Sequence, residues 1–372
     1  MQLTVPQNIR DIVPYPPGKP MDELEREYGV TNAIKLASNE NPWGPSPKAV
    51  EAIGQMLTNL HRYPDGSSYY LTEALAKWVG CAPEEIVLGN GSNEVIEFLV
   101  KACVGSGDMV ITSHPSFLMY QKFVQVRGGE NVVIPLKDMR HDLTAILAAV
   151  TERTRLIFID NPNNPTGTLI TREEFDGFLR ALPQSVIVVL DEAYVDFVDP
   201  EERVDLLGYI ANCADIPAVV GMRTFSKAFG LAGLRVGFGI MHRDLASMLH
   251  RVRQPFNINL PAQAGALAAL VDVEHYERTL SGTRDGRAWL SQEVSKLGCI
   301  PYPSYTNFFL IDVQGDATKL YEAMLYKGVI VRSMKAYGYP NFIRITVGTE
   351  AENQRFVTAL GECLQDLGYV HS

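Results

Sequence analysis

An α/β fold is what this sequence predicts, and three observations carry the prediction. Short apolar runs of strand length recur from about Glu85 to Ile240; helix-length segments separate most of them; and beyond residue 270 the pattern changes to a long charged helix with its own strands. The runs Ile86–Leu88, Met109–Thr112, Val132–Pro135, Leu156–Ile159, Val186–Leu190, Ala218–Gly221 and Val236–Ile240 read as buried strands. Between them lie Glu94–Val104, Ser116–Val126, Asp142–Val150 and Arg172–Ala181, each long enough for a helix. Near-continuous apolar strands alternating with helices predict a sheet covered on both faces.

A chain of 372 residues exceeds what one small core needs. Residues 1–35 read as a proline-rich arm with a short helix at Met21–Tyr28, which buries little surface alone and so packs on the small unit or on a partner subunit. Residues 36–270 form the large unit and residues 271–372 the small one. The small unit follows the apolar helix Ala262–Val271. Its elements are a long amphipathic helix over Asp272–Leu297, strands at Asn307–Val313, Val329–Arg332 and Phe342–Val347, and helices at Ala317–Tyr326 and Glu350–Leu367. No internal repeat or low-complexity tract interrupts this order.

Composition narrows the class. With 46% hydrophobic and 20% charged residues the chain reads as a soluble globular protein. A net charge of −10 argues against a broad nucleic-acid footprint, though a few placed arginines still bind a small anion. The five cysteines stand apart, with no CxxC pair, which indicates neither a disulfide framework nor a zinc site and fits a reducing cytoplasm. The first residues, MQLTVPQNIRDIVPYPPGKP, lack the pattern of a signal peptide, and no apolar stretch nears the roughly 20 residues that cross a bilayer.

The densest chemical signal is TFSKAFGLAGLRVGF, Thr224 to Phe238. Here Lys227 follows a strand, Thr224 and Ser226 flank it with hydroxyls, and Arg235 comes shortly after. Hydroxyls and an arginine suit a phosphate ester beside an amine, and a desolvated lysine near positive charge suits Schiff-base chemistry. A serine-lysine pair alone usually marks a surface lysine; the long segment around it reverses that. In LDEAYVDF, Asp191 closes an apolar strand, where ligand groups gather in α/β sheets. It can pair with a protonated pyridine nitrogen, although a strand-end aspartate more often caps a turn. Tyr194 lies three residues on. IDNPNNPTG, Ile159 to Gly167, is a rigid loop after a strand and offers Asn164 as a donor. In LGNGSNEVIEFLV a glycine turn opens a helix near Ser92, a site for phosphate, but GNGSNE is neither a GxGxxG fingerprint nor a Walker loop.

Together these motifs, in this order, resemble the fold type I aminotransferases, and more narrowly the histidinol-phosphate aminotransferases. KLASNENPWGPSP (Lys35–Pro47), RYPDG (Arg62–Gly66), RQPFNIN (Arg253–Asn259) and FIRITVGT (Phe342–Thr349) extend the resemblance over nearly the whole chain. It implies a large domain with a mostly parallel seven-stranded sheet, a smaller α+β domain, and pyridoxal 5′-phosphate (PLP) as cofactor. By the same resemblance Lys227 holds the cofactor as a Schiff base and shuttles the proton. Asp191 faces the pyridine nitrogen, and Tyr194 and Asn164 hold the ring oxygen. Ser92, Asn93, Thr224, Ser226 and Arg235 form the phosphate cup, and Tyr63 reaches the phosphate across a homodimer interface. Phe117 stacks on the ring, where many relatives have tyrosine; the stacking survives that change and a hydroxyl's hydrogen bond does not. Arg344 and Arg332 share the substrate's carboxylate and phosphate, Tyr15 closes over the substrate, and Asn39 is a further substrate-binding position.

The reaction so implied is a ping-pong exchange in histidine biosynthesis between histidinol phosphate or imidazole-acetol phosphate and 2-oxoglutarate or glutamate, in the cytoplasm, with no metal, nucleic acid or membrane involved. The resemblance also admits an aromatic amino-acid aminotransferase and a threonine-phosphate decarboxylase. A ligand-sensing regulator is disfavoured because no basic recognition helix precedes the motifs.

Overall fold

The computed structural model describes residues 4–14 and 21–369. A seven-stranded sheet forms its centre, in the spatial order Ile86–Gly89, Gly237–Ile240, Ala218–Thr224, Ile187–Asp191, Thr154–Asp160, Met109–His114 and Glu130–Pro135. Neighbours pair in parallel except at Gly237–Ile240, which runs antiparallel to both strands beside it. The period-2 alternation of strand side chains divides the central strands between two cores. Ile157, Ile159, Val188, Leu190 and Val219 face one layer of helices, whereas Leu156, Phe158, Val189, Val220 and Met222 face the other. The α/β architecture read from the sequence is the architecture found.

Local chemistry sets the ends of the covering helices. Thr171 Oγ1 accepts from the Glu174 amide at 3.3 Å while the Glu174 carboxylate accepts from the Thr171 amide at 2.8 Å, a reciprocal cap that starts helix Arg172–Ala181. Ser46 caps Pro47–Met56, a helix the sequence pattern did not reveal; its proline in the first turn costs no hydrogen bond. Tyr69–Val79, Leu206–Ala211 and Arg243–Val252 were likewise unforeseen.

A four-stranded antiparallel sheet, in the order Arg332–Ser333, Phe342–Thr346, Phe308–Asp312 and Ile300–Pro301, carries a core of its own that includes Phe309, Ile311, Ile343, Ile345 and Phe356. The stretch expected to be one strand at Val329–Arg332 is two. Val329–Ile330 pairs in parallel with Ile34–Lys35, and Arg332–Ser333 pairs antiparallel with Phe342–Thr346. The two halves serve different sheets, so a single ladder cannot contain them. The helix expected from Ser116 starts at Met119 instead, and Ser116 is left in the preceding turn with its hydroxyl on the Asp160 carboxylate at 3.0 Å.

The 24-residue helix Val273–Lys296 touches both cores. Near its start Tyr276 packs against Trp78 and Phe229 and bonds Asp196 at 2.7 Å; near its end Leu290 and Val294 enter the second core. The N-terminal segment divides in the same way. Asn8 donates to the Gln125 carbonyl on helix Met119–Arg127, while Tyr28 meets Tyr326 edge-on and Leu24 is buried with Leu325 and Ile330. Among the described residues no helix is long and apolar enough to cross a membrane.

Candidate active site

Three neighbouring parallel strands end on one side of the large sheet with Asp160, Asp191 and Thr224, and Asp160 is the register partner of Asp191. Parallel strands of an open sheet leave a crevice at these ends. Here it is a cleft of about 490 Å³, walled on its far side by Arg332, Tyr337 and Arg344 from the smaller sheet and its adjoining turn. A hollow of similar size near Arg140 and His141 has its arginine already paired with Glu174 at 2.6 Å and lies away from Lys227, Asp191 and Arg344, none of which lines it.

Lys227 lies just after the strand Ala218–Thr224, with Nζ 3.4 Å from the Ser38 carbonyl and 5.7 Å from the centre of the Tyr194 ring. Burial, and then the positive charge of Arg344, hold its ammonium down to about 8. A neutral, nucleophilic amine is therefore accessible near neutral pH. Asp191 is pushed up to about 7 by burial and by the Asp160 carboxylate, against a hydrogen bond from Tyr120 that opposes the rise. A buried carboxylate with so unfavourable a charge calls for a cationic partner, which a protonated heterocycle nitrogen would supply. Tyr194 is pushed up to about 12, mainly by burial, and its oxygen accepts from Asn39 Nδ2 at 2.8 Å.

The cradle opposite is built from backbone. Gly91, at φ +80°, leads into helix Ser92–Cys103, and a Cβ there would stand 2.6 Å from Arg235 Nη2. The glycine thus lets the guanidinium lie against the helix start, where free amides and the helix dipole favour an anion. Thr224 and Ser226 join through their hydroxyls at 3.0 Å on the same side. Among the described residues, Asn93 Oδ1 is buried with no hydrogen-bond partner. An anion-binding helix start, a nucleophilic amine and a buried carboxylate whose charge is disfavoured fit a phosphorylated heterocyclic aldehyde.

The cleft also gathers Phe117, Asn164 and Arg332. Asn164 Oδ1 accepts from Arg344 Nη1 at 2.6 Å, which leaves the amide's NH₂ for another acceptor, and Arg344 Nη2 donates to the Ala37 carbonyl at 2.8 Å. Asn39 lines the cleft with its amide committed to Tyr194. Tyr63 does not reach the cleft of its own chain: it is 83% exposed and stacks on Phe256 at 4.9 Å. The RYPDG and RQPFNIN segments are thereby joined, and Arg253 adds a bond to the Gly66 carbonyl at 2.9 Å. Tyr15 lies outside the described residues.

Sequence reasoning passed over Asp160, Ser116, Tyr120, Glu40 and Tyr337, all of which line the cleft. Asp160 accepts from Ser116 Oγ at 3.0 Å, from Asn163 Nδ2 at 3.2 Å and from the Asn164 amide at 2.7 Å, and lies 3.1 Å from His141 Nε2. It ties the Asn164 loop to the sheet. Its only sequence signal was its place at the end of a strand adjacent to the one that carries Asp191. Glu40 pairs with Lys35 at 3.1 Å.

Known proteins share both sequence and geometry. Residues 31–360 match the family described as Aminotransferase class I and II. The chain is 65% identical to a histidinol-phosphate aminotransferase of Desulfotalea psychrophila over 100% of its own length and 98% of the relative's. It is 45% identical to that of Moorella thermoacetica over 97% and 94% of the two chains. A crystal structure of the Sinorhizobium meliloti histidinol-phosphate aminotransferase in complex with pyridoxal-5′-phosphate superposes with a TM-score of 0.89, at 29% identity and 97% coverage of both chains.

Proposed function

The chain belongs to the class I and II aminotransferase family, and from that premise we propose that it exchanges an amino group between histidinol phosphate and 2-oxoglutarate with PLP as cofactor. The observation that carries the reading is the presence, in one cleft, of Lys227 and Asp191 facing two arginines, Arg332 and Arg344. One set suits the cofactor and the other suits a substrate that ends in phosphate or carboxylate.

When bound, PLP supplies an aldehyde that condenses with amines and a ring that accepts the electron pair left on the substrate carbon. Lys227 would be its covalent anchor, and Nζ, once the substrate amine has displaced it, would be the base that takes the proton from the substrate's amino-bearing carbon and returns it. The lowered proton affinity of Nζ suits both roles. Asp191 holds the ring nitrogen protonated. Tyr194 and the NH₂ of Asn164 would hold the ring oxygen, and Phe117 would offer its face to the ring. The helix start at Ser92 and Asn93, with Thr224, Ser226 and Arg235, holds the phosphate. Arg344 and Arg332 would take the carboxylate of glutamate in one half-reaction and the phosphate of the other substrate in the second, with Asn39 in the same cleft.

The active unit in this reading is a cytoplasmic homodimer. The exposed Tyr63–Phe256 stack supports it, since an aromatic pair left in water suits a second copy, whose cofactor phosphate Tyr63 would reach. The division into an arm over 1–35, a large domain over 36–270 and a small domain over 271–372 belongs to the same proposal. An absorbance spectrum of the purified protein with PLP tests it. A visible band bleached by glutamate and by histidinol phosphate is the expected result. A band bleached only by aromatic amino acids would refute the substrate, and no band at all would refute the role of Lys227.

A further inference from the structure

We propose that Tyr120 is a positioning residue for this reaction, its hydroxyl fixing the Asp191 carboxylate and favouring the ionised form that faces the cofactor's ring nitrogen. The inference rests on the cofactor reading above.

Tyr120 is fully buried at the start of helix Met119–Arg127, and its Oη donates to Asp191 Oδ2 at 2.7 Å. Asp191 Oδ1 accepts from the Ala193 amide at 3.0 Å. The carboxylate is thus held through both oxygens, which sets the plane it presents to the cleft. Tyr120 has little freedom of its own. Its ring stacks on Phe158 at 4.6 Å and 9° and meets Phe117 edge-on at 5.5 Å. Phe117 carries no hydroxyl; the phenol near this wall of the cleft comes one helical turn later and points at the carboxylate.

Electrostatics gives that hydroxyl a task. The groups around Asp191 are Asp160 on the adjacent strand, Glu192 next in sequence, and Tyr194 and Lys227 across the cleft. Burial and the two carboxylates work against a charged Asp191; Tyr120 and the Ala193 amide work for it. Removing the hydroxyl shifts the shared proton from the ring nitrogen toward Asp191. A less positive ring is a weaker electron sink and withdraws less charge from its bond to Lys227.

Tyr120→Phe keeps both ring contacts and deletes only the donor. In the PLP-loaded protein the pH midpoint of the visible absorbance should move upward by about 0.5–1 unit, and kcat should fall about tenfold, with KM for histidinol phosphate within about twofold. In an Asp191→Asn background the same change should cost nothing further, because the group it acts through is gone. A purely structural tyrosine would instead lower the melting temperature, leave the absorbance titration in place, and add its loss in both backgrounds. A wild-type midpoint and kcat in Tyr120→Phe overturn the proposal, as does an undiminished effect beside Asp191→Asn. If Tyr120→Phe does not fold, the two Asp191→Asn proteins still decide, since equal PLP retention with and without the hydroxyl supports the inference and a loss overturns it. A wild-type protein that forms no visible band with PLP refutes the cofactor reading itself, a result distinct from either.

Discussion

Replacing Asp160 with alanine tests whether the buried network behind the cleft holds the Asn164 loop. The change removes the acceptor of the Asn164 amide, at 2.7 Å, and of Ser116 Oγ, at 3.0 Å. His141 Nε2 keeps the residue 160 carbonyl at 3.0 Å, and Asn163 Nδ2 keeps the Pro115 carbonyl at 3.4 Å. Two donors, one buried and one partly buried, are therefore orphaned, at about 1–3 kcal/mol each. Against this the protein recovers part of the cost of burying a carboxylate beside Asp191. A net loss of about 3 kcal/mol follows. At about 2.1 cal/mol/K per residue, 372 residues give an unfolding entropy of about 0.8 kcal/mol/K, so Tm should drop by about 4 °C. Calorimetry of the cofactor-free protein reads this directly. Asp160→Asn, which keeps one acceptor oxygen, should lose about half as much. If Asp160→Ala melts within a degree of the wild type, the network does not hold the loop and the account given for Asn164 is wrong.

Other consequences are as direct. The rate at which the cofactor-free protein captures PLP should rise about tenfold per pH unit up to about 8 and then level, because only the neutral Lys227 amine reacts; a flat profile would contradict the lowered proton affinity. Asp191, with its folded value raised to about 7 above an unfolded value near 3.8, contributes stability that is full below the unfolded value and lost as pH rises through 7. Melting of the cofactor-free protein should therefore fall between about pH 5 and 8 by more than that of the PLP-loaded protein, in which the ring nitrogen pairs with the carboxylate; parallel curves would count against that pairing. Gly91→Val should weaken PLP binding at least about tenfold in a fluorescence titration, since its side chain displaces the Arg235 guanidinium and strains a backbone at φ +80°. Unchanged affinity would remove Arg235 from the phosphate cradle.

Much of the cleft was legible because its chemistry is written in contiguous segments. Lys227, Arg235, Asp191 and Asn164 each sit in a short run with distinctive neighbours, and strand periodicity supplied the sheet that brings the runs together. Asp160 and Tyr120 were not legible for the opposite reason. What matters about them is register and helix phase: Asp160 stands beside Asp191 across two strands, and Tyr120 points inward only because the helix starts at Met119. The split of Val329–Arg332 between two ladders was invisible because an apolar run gives no sign of which partner each half will meet. Helix Leu260–Leu270 was found from its apolar run, whereas Pro47–Met56, packed against it, has too mixed a surface to stand out.

The helix Val273–Lys296 also has a mechanical side. At 1.5 Å per residue its 24 residues make a stiff rod of about 36 Å. One end is clamped by Tyr276 among Trp78, Phe229 and Asp196, and the other is embedded in the core beneath the four-stranded sheet. A rod so held is a lever. A tilt of about 5° at the Tyr276 clamp swings the far end by about 3 Å, comparable to the length of one hydrogen bond. A swing of that size would change the gap between the arginine wall and Lys227.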